Sequence, residues 1–184
     1  RSYLLPSILS ILGGNISILV DNCVAGAALG EQELAAMGIV NPIFNTITAF
    51  GLLICGGASV LASISIGQGE NEKKKHYFTL ALYMLITAAA ALTLLGNVFI
   101  DPLVKALGAT GELVPLAKDY SRVLFFSSIA IMSVYFPLNF LRIEGKGRVS
   151  MIMFFIMAGL DIVFDLVFVL IFPWGMMGLA LATG

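Results

Sequence analysis

Three aspartates, Asp21, Asp161 and Asp165, stand inside stretches that are otherwise apolar. An aspartate at the centre of a membrane helix costs roughly 2.5–3.5 kcal/mol on insertion scales, so such residues are functional by default. Asp161 and Asp165 are spaced i, i+4 in GLDIVFD, and one helical face presents both. In low dielectric, two carboxylates that close do not both ionise unaided. Either one keeps its proton or a cation sits between them. The chemistry this offers is reversible binding of a proton or a cation at the Asp161–Asp165 pair, with Asp21 at a similar depth. The bland alternative is that Asp21 ends its helix at an interface and one of the others satisfies a packed polar partner. Other chemistries lack their residues. His76 is the sole histidine and no HExxH occurs, which excludes zinc hydrolysis, and no phosphate-cradling loop supports ATP drive from this chain. Cys23 and Cys55, both in apolar surroundings, make neither a disulfide framework nor a metal motif.

The elements that carry these residues follow from the charge distribution. Of 184 residues, 59% are hydrophobic and 11% charged, and the mean hydropathy is +1.01. A soluble domain carries about 25% charged residues. The deficit excludes a soluble enzyme, a disordered tail and a nucleic-acid binder, and a net charge of −1 leaves no basic face for phosphates. Residues 2–20, 34–69, 77–100, 123–141 and 166–184 carry no charge, and 149–171 is broken only by the aspartate pair. With about 20 apolar residues per crossing, the reading is an all-α polytopic membrane protein. Its six-helix transmembrane bundle spans roughly 2–26, 35–67, 77–99, 114–142, 149–171 and 176–184, with the last helix cut short. The first segment is longer than a signal-peptide core and is read as a retained helix. Because the chain opens on Arg1 and stops at Gly184, it is expected to be a piece of a longer protein.

Loop charge sets the orientation. Lys73, Lys74 and Lys75 in one loop, and Arg142, Lys146 and Arg148 in another, join Arg1 on one side, against Lys105, Lys118 and Arg122 opposite. The positive-inside rule puts the N-terminus and both basic loops in the cytoplasm, with the chain in the plasma (inner) membrane. Loop 101–113 has its own apolar spacing and is expected to lie along the membrane surface. From the cytoplasmic ends, a rise of 1.5 Å per residue puts Asp161, Asp165 and Asp21 about 20, 25 and 30 Å deep, at heights that can share one cavity.

Two polar stripes support a cavity. Ser7, Ser10, Gly14, Ser17 and Asp21 share one face of the first helix, and Asn41, Asn45 and Thr48 follow i, i+4, i+7 on the second. For any single hydroxyl or amide, an interhelical hydrogen bond is the simpler role. Met84, Met132, Met151, Met153 and Met157 read first as core filling, with a pliable cavity wall as the alternative. Pro6, Pro42 and Pro137 fall in helical patterns and invite kinks, while Gly13, Gly14, Gly56 and Gly57 read as close helix contacts.

The stretch LPSILSILGGNISILVDNCVAGAALGEQELAAMGIVNPIF resembles the opening of a multidrug and toxic compound extrusion (MATE) transporter. The likeness continues through GGASVLASISIGQGENEKK, DPLVKALGATGELVPLAKDYSRVL, NFLRIEGKGRVSM and DIVFDLVFV to the WGMMGLALATG end. It implies an N-terminal lobe, half of a twelve-helix, two-lobed protein, with the C-terminal lobe as its missing partner. It also implies that Asp21, Asp165 and Thr183 belong to a cation-binding group, with Tyr120 in the same network and Pro6 as the site of a first-helix bend. Where many members have asparagine four residues before Asp165, this chain has Asp161, which leaves the coupling ion open.

The implied activity is cation-coupled antiport. Na⁺ or H⁺ binding would export an amphipathic organic cation from a cavity lined by Ser17, Asn41, Asn45 and Thr48, with the membrane lipid as surroundings and no other cofactor. Two alternatives stand beside it. A lipid-linked oligosaccharide flippase of a related superfamily would be expected to carry basic residues in its cavity, and here no Lys or Arg lies within a span. An intramembrane aspartyl protease would carry Gly-x-Gly before its second aspartate, where this chain reads AGLDIVFD.

Overall fold

The computed structural model describes residues 30–167. The expected first and sixth segments, with Pro6, Ser17, Asp21 and Thr183, lie outside the described residues. Those described are helical: α1 Glu31–Gly67, α2 Asn71–Val98, α3 Ile100–Ala106, α4 Leu113–Phe126, α5 Ser128–Ser133, α6 Tyr135–Ile143 and α7 Gly147–Leu166. The helices α1, α2 and α7 are each long and apolar enough to cross a membrane. Leu113–Phe126 and Ser128–Ile143, bent by 49°, are together long and apolar enough for a fourth. At 37 residues α1 is about 55 Å long, well beyond a hydrocarbon core of about 30 Å. It starts a turn earlier than the apolar pattern predicts, because Glu31 and Glu33 suit the positive end of a helix.

α1 is the central post. Its inward stripe, Ala36, Val40, Ile43, Ile47, Gly51, Ile54, Cys55, Ser59, Ala62 and Ser65, steps by threes and fours against α2, α4, α5 and α6. Many of these residues are small, as are Ala81, Ala89 and Gly96 on the facing side of α2. Lipid tails are as apolar as leucine, so small residues hold membrane helices together by letting backbones approach. The close approaches are at Gly51 and Gly96. A Cβ at Gly51 would lie 3.2 Å from the Met132 Cα, and one at Gly96 would lie 2.4 Å from the Phe125 ring. Among the described residues a Cβ at Gly56 or Gly57 meets nothing within 4 Å, and Gly13 and Gly14 lie outside them. Met132 is fully buried as core filling, whereas Met84 is exposed. Opposite the inward stripe, Leu53, Val60 and Ile64 face outward, as lipid-facing residues do.

The expected single helix over 114–142 is three pieces. At Ser127 the bend is taken up by α2: the Thr93 hydroxyl donates to the Phe125 carbonyl at 2.6 Å, and the Ser128 hydroxyl reaches the Ala89 carbonyl at 3.3 Å. At Val134 the cause is Pro137, which has no N–H for the Ser133 carbonyl and whose ring crowds it. Pro42, by contrast, leaves α1 continuous, and Thr46 Oγ1 donates to its carbonyl at 2.7 Å. Segment 101–113 contains a short helix, α3. It packs onto the bundle, with Ile100 and Val104 buried in the main core.

α1 and α6 both end on glycine at positive φ, Gly69 at 75° and Gly145 at 78°. Each makes the paired bonds of a Schellman turn, with Glu70 N–H donating to Ser65 O and Lys146 N–H to Leu141 O. These turns reverse the chain within a few residues and carry the two basic loops.

Candidate functional site

On α1, Asn45 Nδ2 donates to Asn41 Oδ1 at 2.9 Å, and both side chains are exposed on the stripe next to the buried one. This is the i, i+4 contact that a helix allows two short amides. Thr48 is half-buried, its oxygen inaccessible and its neighbour the Tyr135 phenol. Tyr135 also packs on Gly51, one turn along α1, so the missing side chain at 51 makes room for its ring. Tyr135 was not among the sequence candidates. The signal for it was its place two residues before Pro137, where a broken helix turns a new face inward.

Tyr120 lies on the inner face of α4, 8% exposed, in the main core with Ala117 and Leu124. Asp161 is half-buried on α7, about 21 Å along the helix from Gly147. Asp165 follows one turn later, with its backbone in the same helix. That helix packs on α6, where the buried Ser150 hydroxyl donates to the Leu138 carbonyl at 3.0 Å. The described residues therefore hold two of the three expected ion-binding aspartates, on one helix. Among them no group of three or more His, Cys, Asp or Glu side chains gathers as a metal site.

Polar ties close both ends of the bundle. At one end Lys74 meets Glu144 at 2.6 Å, joining the two basic loops across the bundle. The Lys74 ammonium holds the Glu144 carboxyl below its ordinary value. At the other end Lys118 pairs with Asp101 and lowers its carboxyl likewise, while Gln32 Nε2 donates to Glu112 Oε2 at 3.3 Å. The two basic loops thus share one end, opposite α3.

Comparison with known proteins points one way. The MatE family profile matches residues 6–167. Multidrug export protein MepA of Staphylococcus aureus (strain MRSA252) is 26% identical over 180 residues, which is 98% of this chain and 39% of MepA. An outward-facing multidrug resistance MATE family transporter of the MOP superfamily superposes with a TM-score of 0.90 at 28% identity, over 97% of this chain and 40% of that one. A MOP superfamily transporter from Pyrococcus furiosus, described as having a binding pocket of reverse polarity, superposes with a TM-score of 0.89 at 28% identity, over 97% of this chain and 39% of its own. The chain spans about two fifths of the length of these relatives.

Proposed function

Because the chain belongs to the MatE family, we propose that it is the ion-binding lobe of a multidrug exporter driven by Na⁺ or H⁺. It is an integral membrane protein, and the observation that carries the reading is the acid pair of α7. Asp161 and Asp165 stand one turn apart, far along a helix apolar enough to cross a membrane. A cation or a proton shared there removes the repulsion between them, and Asp21 and Thr183 complete the site. Neutralising the acids favours a second arrangement of the first helix, bending at Pro6, and the exported compound leaves. In population terms the ion binds one state better than the other and shifts the balance by that difference. Tyr120 belongs to the ion-binding network, Ser17, Asn41, Asn45 and Thr48 line the route, and an amphipathic organic cation suits a cavity of carboxylates and apolar walls. A second lobe faces this one across the route, and the basic loops lie in the cytoplasm under the plasma membrane.

The reverse-polarity relative makes pocket charge the discriminator between transport activities. In this chain no Lys or Arg falls within 34–69, 77–100 or 123–141, which favours a cationic cargo over an anionic lipid-linked sugar. The test is proteoliposomes holding the whole protein that carries this chain. They should exchange a fluorescent organic cation against an imposed Na⁺ or H⁺ gradient, each gradient applied separately. Asp165→Asn should abolish that exchange. Unchanged gradient-driven exchange in Asp21→Asn, Asp161→Asn and Asp165→Asn would overturn the ion site.

A further inference from the structure

Two helices leave the turn at 144–146 side by side, α6 running back to Tyr135 and α7 forward from Gly147. Heights along both can therefore be read from one end of the bundle. Ser127, where the chain bends by 49°, lies about 24 Å along from Ile143. Asp161 and Asp165 lie about 21 and 27 Å along from Gly147. The bend stands at the level of the acid pair.

At that level the two segments part. α7 packs on α6 and makes no comparable contact with α4 or α5 among the described residues. Its buried positions, Gly147 and Ser150, are both in its first turn. α4 leans onto α1 and α2 instead. A straight continuation would carry α4 on along the line of α6, the helix on which α7 packs. A 49° lean over the 14 residues of α4 moves its far end by about 16 Å from that line. Space is thus kept at the height where Asp161 and Asp165 stand.

The bend has no local cause in the chain. No proline or glycine lies within residues 116–136, and without them a sharp kink needs a group inserted into the hydrogen-bond ladder. That group comes from α2. An unbroken helix would give the Phe125 carbonyl the Ile129 N–H. Here the carbonyl accepts from the Thr93 hydroxyl at 2.6 Å, and the Thr93 and Ser128 hydroxyl oxygens are 3.1 Å apart. Ser128 is fully buried, and its hydroxyl also reaches the Ala89 carbonyl at 3.3 Å.

We propose that Thr93 is a positioning residue of the ion site. By occupying the Phe125 carbonyl it keeps the span bent at Ser127, and the bend keeps α4 clear of the Asp161–Asp165 pair. The inference rests on the reading of that pair as the ion site. It adds that α2, which carries no charge over 77–98, tunes how strongly the site holds its ion.

The whole protein carrying this chain would be assayed in proteoliposomes for exchange of a fluorescent organic cation, over a series of Na⁺ concentrations and of pH. Thr93→Val should raise the Na⁺ or H⁺ concentration for half-maximal exchange about threefold, the factor equivalent to one hydrogen bond between membrane helices, at an unchanged maximal rate. Ser128→Ala should shift it the same way, and Thr93→Ser should restore it. Thr87→Val removes a hydroxyl bonded to the backbone of α2 itself and should leave it unmoved. Spin labels at Arg122→Cys and Val163→Cys should come closer when Thr93→Val is added, while a pair at Ile129→Cys and Ile152→Cys stays put. Wild-type ion dependence or an unchanged Arg122–Val163 label distance in Thr93→Val would overturn the positioning role. So would a lower maximal rate alone, which marks a purely structural residue. Exchange indifferent to Asp161→Asn and Asp165→Asn would instead remove the ion-site reading beneath it.

Discussion

Gly96 is bare because the Phe125 ring fills the space its side chain would take. Gly96→Ala must turn that ring, and a neighbouring cavity of about 320 Å³ gives it room. The expected loss is therefore near the low end of overpacking, about 1 kcal/mol, measured by unfolding in SDS. Thr93 makes the complementary case. Its hydroxyl serves the Phe125 carbonyl and lies 3.1 Å from the Ser128 hydroxyl. Thr93→Val keeps the shape and removes the bond, which in a membrane bundle is worth about 0.6 kcal/mol and at most about 1.7. Thr93→Ser should restore most of it. A Thr93→Val protein as stable as wild type would show that the bend is held by packing alone.

At the scale of elements, the broken span has two breaks with two causes. The Val134 break belongs to Pro137, because it lies where that proline's missing N–H leaves a carbonyl unpaired. Pro137→Ala should fuse α5 and α6, seen as slower amide exchange across residues 134–138. The 49° bend at Ser127 should survive that substitution, since its partners are on α2. A spin-label distance between the ends of α4 and α6 checks this, and a straightened span would assign both breaks to the proline. Pattern reading saw one helix over 114–142 because hydropathy is continuous through both breaks. Proline was visible as a cause of distortion, but nothing local in Ser127 or Ser128 announced that α2 would take over their partners.

The whole molecule is tied at both ends by charge, and the tie at the basic loops depends on pH. Glu144 titrates below its ordinary value because Lys74 favours the carboxylate. The pair therefore stabilises the fold fully above the ordinary carboxylate range and stops doing so as pH falls through the lowered value. Both partners are about a third exposed, at 28% and 35%, so the contribution stays within about 1 kcal/mol. Melting temperature should fall on acidification, and Lys74→Gln should flatten that limb. A variant with the wild-type acid profile would show the pair to be inert. Orientation is testable at the same scale. In intact cells a membrane-impermeant maleimide should label Lys105→Cys and spare Lys146→Cys, and the reverse pattern would invert the proposed topology.

By itself the sequence determined that this is a helical membrane protein of the MatE family and which aspartates stand in apolar surroundings. Hydropathy and charge are properties of single residues and short windows, and a bilayer filters on them directly. Only the tertiary structure decided which small residues mattered. Among the described residues Gly51 and Gly96 meet a neighbouring helix while Gly56 and Gly57 do not, although all four sit in similar apolar sequence. It also decided that α3 packs onto the bundle core and that Tyr135 faces Thr48. These are meetings between distant segments. No spacing within a segment encodes what its neighbour presents.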